Sequence, residues 1–513
     1  MKRILPLISH RPIAIVLLGA LLTALAPAPL NQWMWAWIGL APLWWASTKS
    51  QKPRSAAGYG FLWGMIYHGI SLAWITGLHP LTWMGISFWS SVAIVAVIWL
   101  IITLWGAIGV AGWSWVMAKV AQTQTPIKLR ILIGVMLWIF IETLRSYSIL
   151  DWTNLAYTQS PGNLWILHLG QLSGNAIISA AIVAVNGCLA EYLPIRPSIK
   201  FTLKSFAPAI AIFTITHILG FLLNLQSIWD GSFNRSTRIG FVQGNIPTRI
   251  KLSPAGVQQA FKQYINGYET LSNQGVALIL FPEGSMPFEW ELEPNNPLAQ
   301  VIRDRKTPIA LGSFGLRGKR MTQSLMMLDE QAKITSQYDK IKVVPLGEAL
   351  PFEEVLGQFI GRLSPIKSFL LAGRDDQTFT TNLGPAAIGI CYESAFPEIF
   401  RQQIQRGGQF IITASNLDPY STVLMAQHEA HDVMRAIETQ RDLVRVTNTG
   451  YSGFIKASGK VEFRSTPNQY ELKIVGLQQH SSMTPYTQFG NWLTPTLICI
   501  TLSLLIWEQR PTR

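Results

Sequence analysis

Apolar runs long enough to cross a bilayer fill the first 224 residues and recur once near the C-terminus, with a stretch of ordinary globular composition between them. A helix spanning a hydrocarbon layer needs about 20 apolar residues. Runs at 12–29, 32–47, 57–76, 84–112, 131–149, 164–190, 206–225 and 490–507 predict eight membrane helices, the second of them short. The whole chain of 513 residues is 49% hydrophobic and only 13% charged, a membrane composition diluted by something soluble.

A net charge of +13 would suit a nucleic-acid binder, but the basic residues gather at the ends of the apolar runs. Lys2, Arg3 and Arg11 precede the first run; Lys49, Lys52 and Arg54 follow the second; Lys119, Lys128 and Arg130 follow the fourth. Arg196, Lys200 and Lys204 follow the sixth, and Arg510 and Arg513 follow the eighth. The connections between, at 27–31, 77–83 and 150–163, hold no lysine or arginine. This alternation obeys the positive-inside rule and predicts a multi-pass protein of the inner membrane with both termini in the cytoplasm. It also predicts an N-terminal transmembrane domain over 1–225 with seven helices, a soluble domain over 226–489 on the far side (the periplasm, in a bacterium), and a last helix with a cytoplasmic tail over 490–513. Ala24-Leu25-Ala26 has the small-x-small form of a cleavage site, but Pro27 is unfavourable as a first mature residue and further spans follow, so the first run is expected to be uncleaved. Ionisable residues inside membrane spans default to a functional reading. Of His68, Glu142, Asp151 and His168, the last two fall near run ends where solvation is expected, and Glu142 within Trp138-Ile139-Phe140-Ile141-Glu142 draws more interest.

From Thr237 the pattern changes to short apolar runs bounded by Gly, Pro and Asn, the signature of strands and loops. Strands are expected at 238–243, 276–281, 308–311, 324–328, 341–344, 386–390, 410–413 and 443–447, and helices at 255–271 and 420–438. Strands alternating with helices indicate an α/β domain, and about 260 residues suffice for one large core.

Three of these strands carry polar residues at their ends that apolar packing would not select. Glu283 follows the run Ala277 to Pro282, Lys340 precedes Ile341 in Tyr338-Asp339-Lys340, and Cys391 ends the run Pro385 to Ile390. The other two of three cysteines, Cys188 and Cys499, lie in predicted membrane helices, so Cys391 has no disulfide partner in its own compartment. Singly, each residue has an ordinary explanation: a solvated carboxylate, a surface lysine, a small core thiol. Together they supply a base, a cation and a nucleophile, a complete set for acyl transfer. A cysteine with a pKa of about 8.5 is mostly thiol near neutrality and needs a base to take its proton, which Glu283 would do. Negative charge then builds on the acyl oxygen, where Lys340 and the amide of Tyr392 would stabilise it.

Phe281-Pro282-Glu283, Tyr338-Asp339-Lys340 and Cys391-Tyr392-Glu393, in that order, resemble the Glu-Lys-Cys triad of the nitrilase superfamily. Further segments narrow the branch: Phe241 to Pro247, Val344-Pro345-Leu346-Gly347-Glu348, Arg445 to Gly450, and Thr484-Pro485-Tyr486-Thr487 before the last span. With eight predicted membrane helices, the chain is similar over its whole length to the apolipoprotein N-acyltransferases, the membrane branch of that superfamily. The resemblance implies an αββα sandwich for the soluble domain. It implies transfer of a fatty acyl chain from a phospholipid to the α-amine of the diacylated N-terminal cysteine of an apolipoprotein, through a Cys391 thioester, in lipoprotein biosynthesis. It also implies supporting roles for Glu348 and Glu393 and a positioning role for Tyr392, with no cofactor, no metal, no nucleic acid and a monomer.

There are departures. Lys251 is followed by Leu252 where the family commonly has tryptophan, and after Ala414-Ser415-Asn416 this chain reads Leu417-Asp418-Pro419-Tyr420 where aspartate and tryptophan are usual. Two other readings remain open. A membrane-tethered amidase would use the same three residues with water as acceptor, and a transporter with a periplasmic binding domain would use Glu142 for coupling. The eight histidines show no metal-ligand spacing and no glycine-rich run cradles a phosphate. Arg362 and Lys367, near Phe359 and Phe369, would suit either lipid headgroups or solvent.

Overall fold

The long apolar helices form in the computed structural model, which describes residues 12–148, 150–192, 203–231, 236–293, 295–345, 348, 370–418 and 420–508. Lys2, Arg3, Arg11, Arg196, Lys200, Phe359, Arg362, Lys367, Phe369, Arg510 and Arg513 lie outside the described residues. The chain divides into two compact units, one of residues 1–76, 92–225 and 489–513 and one of residues 77–91 and 226–488.

The first unit is helical. Three of its helices, Phe88–Gln122, Asn175–Tyr192 and the run Ser205–Ser227 within Leu203–Gly231, are long and apolar enough to cross a membrane; Pro12–Ala24 and Leu493–Glu508 are shorter apolar helices. The expected helix at 32–47 is broken into Trp33–Trp35, Ala36–Gly39 and Ala41–Lys49. Breaking a helix orphans backbone groups, which an apolar interior cannot leave unpaired. Asn186 supplies the partners: its Oδ1 accepts from the amides of Leu40 (3.0 Å) and Ala41 (2.8 Å), and its Nδ2 donates to the Ala36 carbonyl at 2.9 Å. The expected helix at 164–190 likewise splits, into Leu164–Leu167, Gly170–Ser173 and Asn175–Tyr192, and Gly174 makes the last break at φ +66°. Apolar periodicity cannot register such breaks, because the broken segments are as apolar as an intact span.

The solvated span ends expected for Asp151 and His168 are not found, since both are buried. Residues 151–160, a short stretch without regular structure followed by the 3-10 helix Leu155–Gln159, fold into the unit's interior. Glu142 holds that chain in place: its Oε1 accepts from the Leu155 amide at 2.8 Å and from Trp138 Nε1 at 3.0 Å. Small residues let the large indoles interdigitate. Trp44 lies edge-on to Trp113 (5.2 Å between ring centroids) and fills the space a side chain at Gly187 would occupy.

The second unit carries thirteen strands among the described residues. They are β1 (Ser236–Gln243), β2 (Leu278–Leu280), β3 (Met286–Glu289), β4 (Ile309–Arg317), β5 (Arg320–Leu328), β6 (Ile334–Asp339) and β7 (Phe379–Thr381). There follow β8 (Gly384–Ile390), β9 (Ile411–Ser415), β10 (Leu443–Thr447), β11 (Gly453–Ile455), β12 (Val461–Arg464) and β13 (Glu471–Gln478). One sheet has the order β13-β1-β2-β4-β5-β6, with β3 beside β4; the other has the order β12-β11-β10-β9-β8-β7. In each, the central strands are parallel: β1, β2 and β4 in the first, β8, β9 and β10 in the second. All five residues of β9 and of β10 are buried, as fits parallel strands covered on both faces.

Seven of the eight expected strands appear, but 341–344 is not one. The strand there is β6, which ends before Lys340 instead of beginning after it. Its alternation Ile334-Thr335-Ser336-Gln337-Tyr338 is too polar to read as a core strand, yet pairing with β5 in register Leu325 to Tyr338 secures it. Both expected helices form, as Pro254–Asn273 and Thr422–Thr439. The first begins at a Ser253 cap whose Oγ accepts from the Gly256 amide, with Pro254 at the first helical position. The ends of β1 and β10 are tied by Gln243, whose Oε1 accepts from Ser452 Oγ and Ser465 Oγ, each at 2.7 Å.

Asn186→Leu is expected to leave two amides and a carbonyl unpaired in the apolar unit. At about 1–3 kcal/mol for each orphaned group, the melting temperature of the detergent-solubilised protein should fall by several degrees; an unchanged melting curve would show that the helix break does not depend on Asn186.

Candidate active site

The carboxyl ends of parallel strands are where α/β sheets expose chain that is free to carry side chains into a crevice. Three segments arrive there from parallel strands. β2 delivers Glu283, β8 delivers Cys391 and β9 delivers Asn416, while Lys340 arrives at the end of antiparallel β6. The tight start of this geometry is Gly312 on β4, where even a methyl group would run into the Glu283–Gly284 backbone.

Lys340 is fully buried, and its Nζ bonds Glu283 Oε1 at 3.0 Å and Glu348 Oε1 at 2.7 Å. Burial works against its charge, but the two carboxylates outweigh burial and hold the ammonium well above its ordinary pKa. Each carboxylate has a second anchor. Glu283 Oε2 accepts from the Asn416 amide at 2.8 Å, and Glu348 Oε2 from the Val344 amide at 2.8 Å. Burial pushes the Glu348 carboxyl above its usual range against the pull of Lys340.

Cys391 is buried, and its backbone is left-handed at φ +53°. For a residue with a Cβ this conformation costs about 1–2 kcal/mol and has to be held by its surroundings. Burial and the charge of Glu283 raise its thiol, Lys340 lowers it, and the Tyr392 amide, which hydrogen-bonds the sulfur, lowers it further. The resting group is therefore a thiol within the electrostatic reach of a carboxylate and an ammonium. Glu393 is fully buried and organises the backbone around this pair. Its Oε2 accepts from the Ile390 amide (2.7 Å) and the Tyr338 hydroxyl (3.2 Å); its Oε1 accepts from the amides of Ile341 (2.5 Å) and Lys342 (3.1 Å). One carboxylate thus ties the segment before Cys391 to the segment after Lys340. Burial lifts its pKa to about 7 against these donors. The Tyr392 ring meets Phe396 edge-on at 5.0 Å, and Lys342 Nζ lies over the Phe396 ring at 5.1 Å.

The structure therefore brings Glu283, Lys340, Glu348 and Cys391 into one charged cluster and places Glu393 and Tyr392 directly beside it. A buried base, a paired ammonium and a thiol on a strained turn are what nucleophilic acyl chemistry requires.

The same residues are spanned by known families. The chain matches the apolipoprotein N-acyltransferase N-terminal domain over residues 19–188 and the carbon-nitrogen hydrolase family over residues 238–482. It is 43% identical to the apolipoprotein N-acyltransferase of Nostoc sp., over 94% of this chain and 96% of that one, and 40% identical to that of Synechocystis sp., over 94% and 98%. The chain belongs to the apolipoprotein N-acyltransferase family. It is accordingly an enzyme, with a nitrilase-like fold in its C-terminal part. Among solved structures it is similar to an amidase from Nesterenkonia sp., 18% identical with a TM-score of 0.37 over 48% of this chain and 92% of the amidase.

Where this chain departs from the usual pattern, Lys251 is buried and its Nζ donates to the Glu283 carbonyl at 3.0 Å, while Leu252 is exposed. Burial lowers the Lys251 ammonium to about 8, with the charges of Glu283 and Asp418 opposing the shift. Asp418 Oδ2 accepts from the Thr248 amide at 2.6 Å, which ties the 417–420 segment to the chain after β1. Burial pushes the Tyr420 hydroxyl up, and the charges of Glu348, Lys340 and Glu283 reach it as well, so this residue too lies near the cluster.

Sequence reasoning did not single out Lys251, Asn416 or Asn448 as site residues. The signal for Asn416 was present, since it ends the apolar run Phe410 to Ala414 as Cys391 ends its own. Asn448 clamps the chain after β1, its Oδ1 accepting from the Ile246 amide at 2.9 Å and its Nδ2 donating to the Ile246 carbonyl at 2.6 Å and to Asn416 Oδ1 at 2.9 Å.

The left-handed backbone at Cys391 makes a stability comparison decisive. Cys391→Gly is expected to be more stable than Cys391→Ala by about 1 kcal/mol, because only glycine adopts this conformation without a Cβ penalty. Denaturant or thermal unfolding of the two variants measures the difference; equal stability would mean that the turn is unstrained.

Proposed function

We propose that this enzyme transfers a fatty acyl chain from a phospholipid to the N-terminal α-amine of the S-diacylglyceryl cysteine of apolipoproteins, in two steps through a thioester on Cys391. The observation that carries the reading is the buried Glu283–Lys340–Glu348 cluster acting on a thiol held in a left-handed turn, in a chain of this family.

In the first step Glu283 takes the thiol proton and the sulfur attacks the ester carbonyl of the phospholipid. The oxyanion that forms is met by the Lys340 ammonium and the Tyr392 amide. Collapse breaks the carbon–oxygen bond, and Glu283 returns its proton to the departing lysophospholipid. In the second step the neutral α-amine attacks the thioester carbonyl, Glu283 accepts the proton released from nitrogen, and the carbon–sulfur bond breaks as the proton passes back to Cys391. Glu348 fixes Lys340 as a second carboxylate partner beside Glu283. Glu393 keeps the backbone of Ile390, Ile341 and Lys342 in one arrangement through both steps, and Tyr392 positions the sulfur.

This reading places the enzyme in the inner membrane. Eight spans, grouped as residues 1–225 and 490–513, would put the nitrilase-like αββα domain at 226–489 on the periplasmic side and both termini in the cytoplasm. The alternation of basic and uncharged connections supports this topology, and three of the helices are long and apolar enough to span. Apolar spans suit a substrate whose acyl chains reside in lipid.

Mass spectrometry of the purified protein after incubation with phospholipid tests the mechanism. A fatty acyl adduct is expected on Cys391, discharged by a diacylated lipopeptide and absent in Cys391→Ala. Glu283→Gln is expected to slow its formation by about 10²–10⁴. If no adduct forms while a soluble amide is hydrolysed, the tethered amidase reading replaces this one. Lys340→Met should cost at least the 10²–10³ typical of one lost oxyanion donor. It also leaves two buried carboxylates facing each other, so its melting temperature should fall as well, whereas a variant that is stable and active would remove Lys340 from the mechanism.

A further inference from the structure

A second polar array lies behind the turn that carries Cys391, and the acyl-transfer chemistry does not use it. His428 sits on the helix Thr422–Thr439, of which every residue from Leu424 to Thr439 is buried. Its Nε2 is 2.7 Å from the carbonyl oxygen of Cys391, and its Nδ1 is 2.5 Å from Arg445 Nη1 on β10. A carbonyl only accepts and a guanidinium only donates. The two partners therefore fix the ring: Nε2 carries the proton and donates to Cys391, and Nδ1 is a bare lone pair that accepts from Arg445. A second proton on Nδ1 would face the Arg445 N–H directly, so the imidazole stays neutral. Burial, with the charge of Arg445 next, agrees, holding its pKa well below the ordinary value.

Arg445 is itself fixed. The same Nη1 pairs with Asp432, one helical turn beyond His428, and Nε donates to the Tyr451 carbonyl at 2.6 Å. Asp432 Oδ2 also accepts from Thr413 Oγ1 on β9 at 2.9 Å. The array runs Thr413, Asp432, Arg445, His428, Cys391 carbonyl, and joins the neighbouring strands β9 and β10 to the backbone carbonyl of Cys391. His431, Lys340 and Arg435 are the other titratable or charged groups near the His428–Arg445 pair.

We propose that His428 is a positioning residue for acyl transfer: locked as the neutral Nε2–H tautomer by Arg445, it pins the Cys391 carbonyl and so keeps the nucleophile in the turn that presents its sulfur to Glu283 and Lys340. His428 exchanges no proton with substrate. Its contribution is to hold the geometry in which the thiol attacks, and a misplacement of about 1 Å at such a centre costs about 10²-fold in rate.

The inference rests on the Cys391 thioester proposed above, and one experiment separates the two. Full-length protein in detergent is incubated with phospholipid, and the rate of Cys391 acylation is followed by mass spectrometry for the wild type, His428→Phe, His428→Asn and His428→Gln. The glutamine Nε2 is as many bonds from Cα as the histidine Nε2 and can donate to the same carbonyl; the asparagine amide is one bond shorter and cannot. The expected result is a loss of about 10² in the acylation rate for Phe and Asn, with the phospholipid KM unchanged, and recovery of most of that loss by Gln. The Gln variant should also keep the wild-type pH profile, because a locked neutral ring contributes no titration to it. Equal rates in all four proteins overturn the inference, as does a Gln variant that folds but is as slow as Asn. A Gln variant that loses one limb of the pH profile overturns it by making His428 a proton-transfer group. If His428→Phe does not fold, the Asn and Gln pair decides alone. Absence of any adduct on the wild type removes the thioester itself, and the inference with it.

Discussion

A lysine ammonium with no access to water must be neutralised where it sits, and this requirement shapes the catalytic end of the molecule. Lys340 lies between Glu283 and Glu348, and each carboxylate is fixed in turn by a backbone amide, of Asn416 and of Val344. Removing one partner from such a buried cluster typically costs 3–5 kcal/mol, because a charge is left uncompensated. The three residues come from different parts of the chain, so the cluster forms only when the ends of β2 and β6 and the turn at Glu348 meet correctly. Charge pairing thereby fixes geometry as well as protonation.

The thiol is held by a different means. Nothing neutralises Cys391; it rests uncharged, and what is costly there is its backbone. A left-handed non-glycine residue at the end of β8 is stable only if its neighbours over-determine it. Glu393 does so from one side, through the Ile390 amide, and Tyr338 keeps Glu393 in place. The strain and the charged cluster meet in Glu393, whose other oxygen binds the amides just after Lys340. A conservative change at Glu393 therefore disturbs the settings of both Cys391 and Lys340, although Glu393 pairs with neither.

The strand ends were legible in the sequence because catalysis requires polar residues where apolar packing would not select them. Glu283 and Cys391 stood out against the runs that precede them, and Asn416 carried the same signature unremarked. Lys340 was legible as a residue but not in its setting: β6 is too polar to read as a strand, and only its pairing with β5 makes it one. Glu348 was named only through the family resemblance, since a sequence shows that a side chain is charged but not what it meets. The polar helix residues behind the site were the least legible. His428, Asp432 and Arg435 carried no signal beyond the helix expected at 420–438, and their burial depends on strands that lie elsewhere in the chain. In the helical unit, three helices are long and apolar enough to cross a membrane, and the break at 36–41 was not legible because its signal is a single polar side chain, Asn186, on a different helix.

The departures from the family pattern acquire a physical sense from this arrangement. Leu252 is exposed, but the lysine before it turns inward and donates to the carbonyl of Glu283, close against Gly284, where a Cβ would lie only 3.2 Å from the lysine Nζ. A buried cation at this point holds the backbone of the base and adds positive potential to a cluster that otherwise has more carboxylates than ammonium groups. Asp418 both answers that charge and ties the altered 417–420 segment to Thr248. Lys251 and Asp418, at the two segments that depart from the pattern, thus belong to a local network around Glu283. What differs is the surface presented beyond it, where Leu252 is exposed, while the charged centre stays as it is.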